Sequence, residues 1–454
     1  MVLMAVGCGE VVRTIGDSGT GDPVFVSSSR GDDANPGSKA SPVKSLAHAI
    51  AIANGRAIDA CGETFTESIV VPSGSALHGG FDCTQDWTYV ATSPTQLIGA
   101  ADSIPLTLAG GAATTTVTDF AVEAFDSKLV GGSSVAVLAN TGAVELDRCR
   151  VTAGAGANGV AGAAQQAVAA SADGARGVDD GQCFMVNPTG GGTGGAQTCG
   201  AIDVSGGSGG TGSTSPVGGN GIAGLPSGGA GGVGQGITPC NTGFPGASGS
   251  AGPASTGARG LGTLTASGFT APVAADASAG YPGQGGGGGG GAKQCGQVVK
   301  AGSSGGGGGG GGCGGAPGIA GSSGGSSLGI VAVDATLTLH DVTITTGKAG
   351  DGGLGGDGQP GGLGGQPGAG GNTGACAGGA GGTGGRGGSG GGGAGGHSIG
   401  VAFVGSAPDL GTVNIAIGTA GKGALGGDAS TAASGDDGVA CKSLDFADAT
   451  SYAH

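Results

Sequence analysis

The chain has 454 residues, of which 119 are Gly and 18 Pro, with 10% charged residues and 3% aromatic. That composition excludes an ordinary globular enzyme along the whole length, and Gly without a strict period of three excludes collagen. The net charge of −15 argues against nucleic acid as a partner, and no apolar run is long enough for a membrane-spanning helix.

The opening MVLMAVGCGE places Cys8 behind the small residues Ala5 and Gly7. This resembles the lipobox of a bacterial lipoprotein signal, although only seven residues precede Cys8 and none is Lys or Arg. Lipidation of Cys8 would remove one thiol from an odd set of 11 and leave ten disulfide candidates. These are Cys61, Cys83, Cys149, Cys183, Cys199, Cys240, Cys295, Cys313, Cys376 and Cys441. Such a number suits an oxidising compartment. No pair has the short spacing of a zinc site, so no metal is expected. Gly9 in place of Asp after Cys8 points to the outer membrane of the cell envelope, reached through the lipid anchor.

Residues 1–23 read as signal remnant and tether. Val24-Phe25-Val26 is a strand signal, followed by the turn formers GDDANPGSKASPVKS. Ser41 and Pro42 read as N-cap and first helical residue of LAHAIAIAN, stopped at Asn54-Gly55. Its nearly all-apolar composition predicts burial on one large apolar surface. Short strands follow at 57–61, 68–71, 76–78, 96–98, 106–108, 116–122, 135–138 and 144–152. Cys61 and Cys83 flank three of these strand-turn segments and are expected to pair near the capped end.

An internal repeat organises the remainder. Residues 327–357 align with 398–428 at an offset of 71, and 134–154 aligns with the first at 193. Apolar positions coincide: Val137, Ile330 and Val401; Leu146, Leu339 and Leu410; Val151, Ile344 and Ile415. Stacked strand-turn-strand units with insertions leaving at one point predict a β-solenoid. The domains are then 24–153 (first solenoid block), 154–326 (Gly-rich insert), 327–346 (one rung), 347–397 (Gly-Gly-X insert) and 398–454 (last rung and C-terminal end).

The run VFVSSSRGDDANPGSKASPVKSLAHAIAIA, then CGETFTESIVVPSGSALHGGFD, resembles the opening of right-handed parallel β-helix domains of the pectin-lyase-like type. The matching loop positions are Gly31, Asp33, Asn35, Pro36, Gly37 and Ser38. The resemblance implies an all-β solenoid capped by the short helix. The glycine tracts are similar to those of PGRS-like envelope proteins, which imply no defined activity.

From Gly352 to Ala375 every third position carries Leu354, Asp357, Pro360, Leu363, Gln366, Ala369, Asn372 and Ala375, with Gly in nearly all other places. After Cys376 the frame slips by one. Period three is that of a polyproline-II or polyglycine helix, whose backbone groups need partners on neighbouring chains. Residues 352–393 are therefore expected to form three-fold helices packed side by side on the solenoid flank, with Leu354 and Leu363 as an apolar seam. A flexible linker is the alternative. Cross-links would oppose the entropy of ordering Gly, and the spacings Cys183/Cys199 and Cys295/Cys313 suit short disulfide loops.

The pectin-lyase-like resemblance makes catalysis a question. Glycoside hydrolysis needs paired carboxylates. Asn140-Thr141-Gly142 lacks the carboxylate of the polygalacturonase NTD motif, Asp179-Asp180 lies in an insert, and His78-Gly79 precedes both. Lyase chemistry needs a basic residue beside calcium-binding carboxylates; Arg30, Asp32 and Asp33 are explained by their turn. Gly355-Gly356-Asp357 and Gly426-Gly427-Asp428 depart from calcium-binding repeats, and Arg30-Gly31-Asp32 spells an integrin-type tripeptide inside that turn. Trp87 with Phe81 and Tyr89 could stack on sugar or plug the solenoid end. TLTLHDVTITT and ATTTVT could form Thr ranks; the five His, including His340 and His397, show no metal spacing. No catalytic residue and no cofactor are assigned. The expectation is a non-catalytic, surface-anchored structural or interaction protein of the adhesin or matrix-binding type, partnered by extracellular polysaccharide or other surface proteins. The alternative is a polysaccharide-active enzyme or carbohydrate-binding module.

Overall fold

The computed structural model describes residues 21–448 apart from 164, 167, 181–182 and 297–298. Cys8 and nearly all of the 1–23 tether lie outside the described residues. The fold is mostly β, in two long parallel sheets of 11 and 6 strands compatible with a β-helix.

Val24–Val26 begins the first sheet and pairs in parallel with Ile58–Cys61. The turn formers between them fold back tightly. A Cβ on Gly31 would lie 2.0 Å from Val43 O, and Gly37 has φ +79°. The Asp33 carboxylate accepts from the N–H groups of Lys44 and Ser45 and from the Ser45 hydroxyl. The helix spans Leu46–Ala53 and its N-cap is Ser45, not Ser41. Val43 bridges to Val26, so the chain stays extended through Pro42 and Val43. Glu67 then accepts from the N–H groups of Leu46 and Ala47, a carboxylate on the positive end of the helix. Asn54, at φ 48°, ends it. Burial is one-sided, on Leu46, Ala49 and Ala53, while Ala47 and Ala51 are exposed; Ala is small enough to be tolerated there.

The core lies between the sheets. One ladder aligns Val24, Ile58, Leu77, Val117, Leu146 and Leu339. The smaller sheet aligns Phe65, Leu97, Val122, Val151, Ile344 and Ile415. All twelve are buried and belong to one cluster. The repeat offsets are the ladder registers: Val137 faces Ile330, which faces Val401. Leu410 departs from the pattern. Its strand stops at Val404 before Gly405 (φ 100°) and Pro408, which has no N–H for the ladder, so Leu410 packs on the core from a loop. The expected strands 116–122 and 144–152 each break at a left-handed residue, Asp119 and Arg148, with Asp341 equivalent in the next repeat. The stretches 135–138 and 144–147 belong to one strand, Ser134–Asp147.

The glycine tracts are ordered side by side. Gly353, Gly356, Gln359, Gly362, Gly365, Gly368 and Gly371 donate to the carbonyls of Ser322, Ile319, Ala316, Cys313, Gly310, Gly307 and Ser304, at 2.8–3.0 Å. One bond every third residue is the spacing of packed three-residue helices. The frame slip near Cys376 marks a reversal: Gly378, Gly381, Gly384 and Gly387 donate back to Gly368, Gly365, Gly362 and Gln359. The uninterrupted run 305–312 lies inside. It bonds to segments 204–213, 283–292, 376–385, 362–371, 172–178 and 192–195. Added Cβ atoms at Gly307, Gly308 and Gly309 would meet Thr193 O, Gly286 O and Gly365 O, all at 2.0 Å. A helix with neighbours on every side admits no side chain. Gly-Gly-X tracts lie outside, with X turned to solvent. Leu354 and Leu363 are 55% and 67% exposed, so they form no internal seam.

Side chains carry the register of the repeat into these tracts. Asp351 N–H donates to Asn158 Oδ1, Gln366 to Asp173 and Asn372 to Asp179, each 193 residues away. Lys422 N–H donates to Asp351 Oδ1, 71 residues away. Two short segments of the last repeat, near 421–427 and 433–438, join the same array.

Cys61 and Cys83 are joined, with a Cα separation of 5.6 Å. In the inserts the pairs are Cys183–Cys295, Cys199–Cys313 and Cys240–Cys376, not the short-range pairs that spacing suggested. Neighbours in the bundle are remote in sequence, so close Cys residues are too. Cys149 and Cys441 are free thiols, which removes two of the ten disulfide candidates. Cys149 belongs to the core between the sheets, where burial pushes its thiol up to about 12; Cys441 packs on the opposite side of the larger sheet.

That opposite side is covered by a hairpin, Thr263–Thr265 with Gly268–Thr270, and by Phe446. His397 is 2% exposed there, its ring edge-on to Phe269 and Phe446. Its Nε2–H donates to Leu261 O and its Nδ1 accepts from Val439 N–H, which fixes the neutral form. Burial holds its pKa below the ordinary imidazole value of 6.5. The unfolded chain binds a proton first as pH falls, so stability is full above about pH 6.5 and declines below it. We expect the urea midpoint to fall between pH 7 and pH 5, with His397→Phe flattening part of that slope. An unchanged slope in the variant would place the pH dependence elsewhere.

Candidate functional site

A group of ionisable side chains sits at the corner where the larger sheet turns into the smaller. Arg148 Nε and an NH2 group donate to the two Asp119 oxygens at 2.9 and 2.7 Å, and Arg148 also pairs with Asp147. Tyr89 OH donates to Asp119 Oδ1 at 2.9 Å. Burial and the Asp119 carboxylate raise the Tyr89 hydroxyl, and Asp119 raises Arg148 further. On the adjacent strands His78 Nδ1 lies 3.2 Å from Asp59 Oδ1, both groups buried. Asp119, Arg148, Tyr89, Asp59 and His78 each hold a partner. Left-handed corners at Asp119 and Arg148 bring these groups together, and their mutual bonds hold the corner.

The other sequence candidates are dispersed. Asn140 donates to Ala266 O in the covering hairpin. Asp179 and Asp180 lie in the glycine bundle, where Asp179 pairs with Arg176 and Asp180 accepts from the Thr373 hydroxyl. Arg30 donates to Cys83 O and Asp32 accepts from Ala34 N–H, so the tripeptide serves its turn. Asp428 N–H donates to Asp357 Oδ1, and Arg386 pairs with Asp428. Trp87 is 7% exposed, 4.7 Å from Phe25 and clustered with Cys61 and Cys83 apart from the main core, so it offers no open stacking platform. Among the described residues, Asp180, Cys183 and Cys295 have ligand atoms close enough for a metal, but the two sulfurs are bonded to each other.

Sequence reasoning missed the outer face of the smaller sheet. Its register aligns Thr64, Gln96, Ala121, Arg150, Thr343 and Asn414 in one row, and Thr66, Ile98, Glu123, Thr152, Thr345 and Ala416 in another. Arg150 and Glu123 interrupt any uniform rank of Thr. Where this face meets the glycine bundle a groove of about 650 Å³ opens, lined by Glu123, Phe125, Asp126, Lys128, Thr152 and Thr345. A second hollow, about 310 Å³, lies over the same sheet between Asp33, Lys44, Thr64, Thr66 and Glu67. The alternation of polar residues with Val122, Val151 and Ile344 was the available signal, but the rows appear only once the register is known. The groove offers both charge signs, hydroxyls and one ring. Compared with protein-family models, curated proteins and solved structures, the chain matches none of them.

Proposed function

We propose that the chain is a non-catalytic, surface-anchored structural or interaction protein of the adhesin or matrix-binding type. In this reading the two sheets are faces of a right-handed parallel β-helix of the pectin-lyase-like kind, with the Leu46–Ala53 helix over its end. Cys8 carries the lipid that holds it to the outer membrane, and the PGRS-like tracts form a rigid outward body. The observation that carries the reading is the large cross-linked glycine bundle, together with the engagement of the catalytic candidates in structural bonds. Labelled fatty acid is expected to enter the wild type and not Cys8→Ser; equal labelling, or a freely secreted product, would overturn the anchor. Mixed with acidic and neutral polysaccharides, the protein is expected to release no new chain ends, and measurable release would overturn the non-catalytic assignment.

A second reading, a carbohydrate-binding module, is favoured by the groove over Glu123, Thr152 and Thr345. It predicts retention on a polysaccharide matrix that Glu123→Gln and Lys128→Ala weaken together.

A further inference from the structure

Between Asp203 and Arg259 the chain carries no charged residue, although the whole protein has a net charge of −15. The structure gathers most of this stretch on one flank. Segments 217–225, 228–236 and 241–250 bond side by side: Gly221 N–H donates to Gly232 O and Phe244 N–H to Ala230 O. All three also bond to the inner run 285–291, through Gly288 N–H to Ile222 O, Gly229 N–H to Gly285 O and Gly287 N–H to Phe244 O. They are the outer layer of the bundle on that side. Ile222, Val233 and Phe244 stand 61%, 56% and 58% exposed on it. Among the described residues, the N–H groups of Ala223, Ala230 and Val233 have no partner. The outer segments on the 305–312 side differ, carrying Asp173, Arg176, Lys348 and Asp357.

We propose that the 217–250 flank is a self-association surface on which two copies of this chain meet face to face. An exposed layer of three-residue helices is an incomplete edge of its own lattice. Unpaired N–H groups and apolar side chains are best met by another such layer, and a second copy supplies one. Charge selects the same occupant. Two copies at −15 repel, so close approach is least opposed on these segments, which carry no charge of their own and meet the Lys293 ammonium at their end, on Gly236 O. A charged partner would gain nothing from it. Salt screens the repulsion without weakening an uncharged contact, so association tightens with ionic strength.

Sedimentation of the oxidised full chain from 1 to 100 μM, on the order of common interface affinities, tests this. The expected result is a concentration-dependent dimer, stronger in high salt. Val233→Asp and Phe244→Asp should each weaken association at least about tenfold, because a carboxylate in a contact face loses its hydration. Leu363→Asp, on the other flank, should leave it unchanged. Far-UV circular dichroism and a free-thiol titration establish that each variant is folded and oxidised. A wild type monomeric throughout, or equal loss in Leu363→Asp, overturns the proposal. So does a monomeric wild type that binds zwitterionic phosphatidylcholine vesicles through Val233, which would assign the flank to lipid.

Discussion

Gly308→Ala will disorder the glycine bundle, although it adds a single methyl group. The new Cβ would sit 2.0 Å from Gly286 O, and the obstruction is backbone that cannot rotate away. Relief requires two helices to separate, at the cost of bonds such as Gly308 N–H to Gly207 O and Gly286 N–H to Gly309 O. Overpacking and lost hydrogen bonds together amount to roughly 3–5 kcal/mol. Gly355→Val and Gly358→Val should act in the same direction, because their Cβ atoms would meet Gly390 O and Gly387 O at 2.2 and 1.9 Å. Ala369→Val should change stability by no more than about 0.5 kcal/mol, because the residue points to solvent. Amide exchange resolved by segment reads the difference. If Gly308→Ala leaves protection across 283–312 intact, the close packing described above does not exist in solution.

Removing the Cys199–Cys313 bridge, as Cys199→Ser with Cys313→Ser, should cost about 3–5 kcal/mol. The bridge closes a sequence separation of 114, and the segments it joins are mostly Gly, whose unfolded ensemble is the broadest. Reducing all three bundle bridges should act in the same direction but less than three times as strongly, since Cys183–Cys295 and Cys240–Cys376 close overlapping loops. The sheets should outlast the bundle, because their two six-residue core ladders are held by apolar packing and only the short-range Cys61–Cys83 bridge touches them. Cys441→Ser should matter little, as that thiol is unpaired and half-buried. The measurement is a urea titration followed by strand and bundle amides separately. Coincident midpoints in the oxidised and reduced protein would show that the cross-links contribute nothing.

Local chemistry determined a definite part of this protein. Alternation of Val122, Val151 and Ile344 with polar neighbours marks strands, because side chains in a strand point alternately to opposite faces. The offsets of 193 and 71 gave the ladder register, because a parallel stack places equivalent residues in contact. Gly-Gly-X phase gave the three-residue helix, because a contacting face admits no Cβ. What the sequence left open is set by neighbours remote in the chain. Which glycine tract lies inside depends on having chains on every side, and only the assembled array shows that 305–312 does while 352–372 does not. Spacing favoured short disulfide loops, yet the array brings Cys183 to Cys295 and Cys199 to Cys313. The Ser45 cap depends on Val43 reaching Val26 and on Glu67 reaching the helix start. The groove and the uncharged flank are likewise properties of registered chains side by side, because a surface is made by residues that share a face and not by residues that share a sequence window.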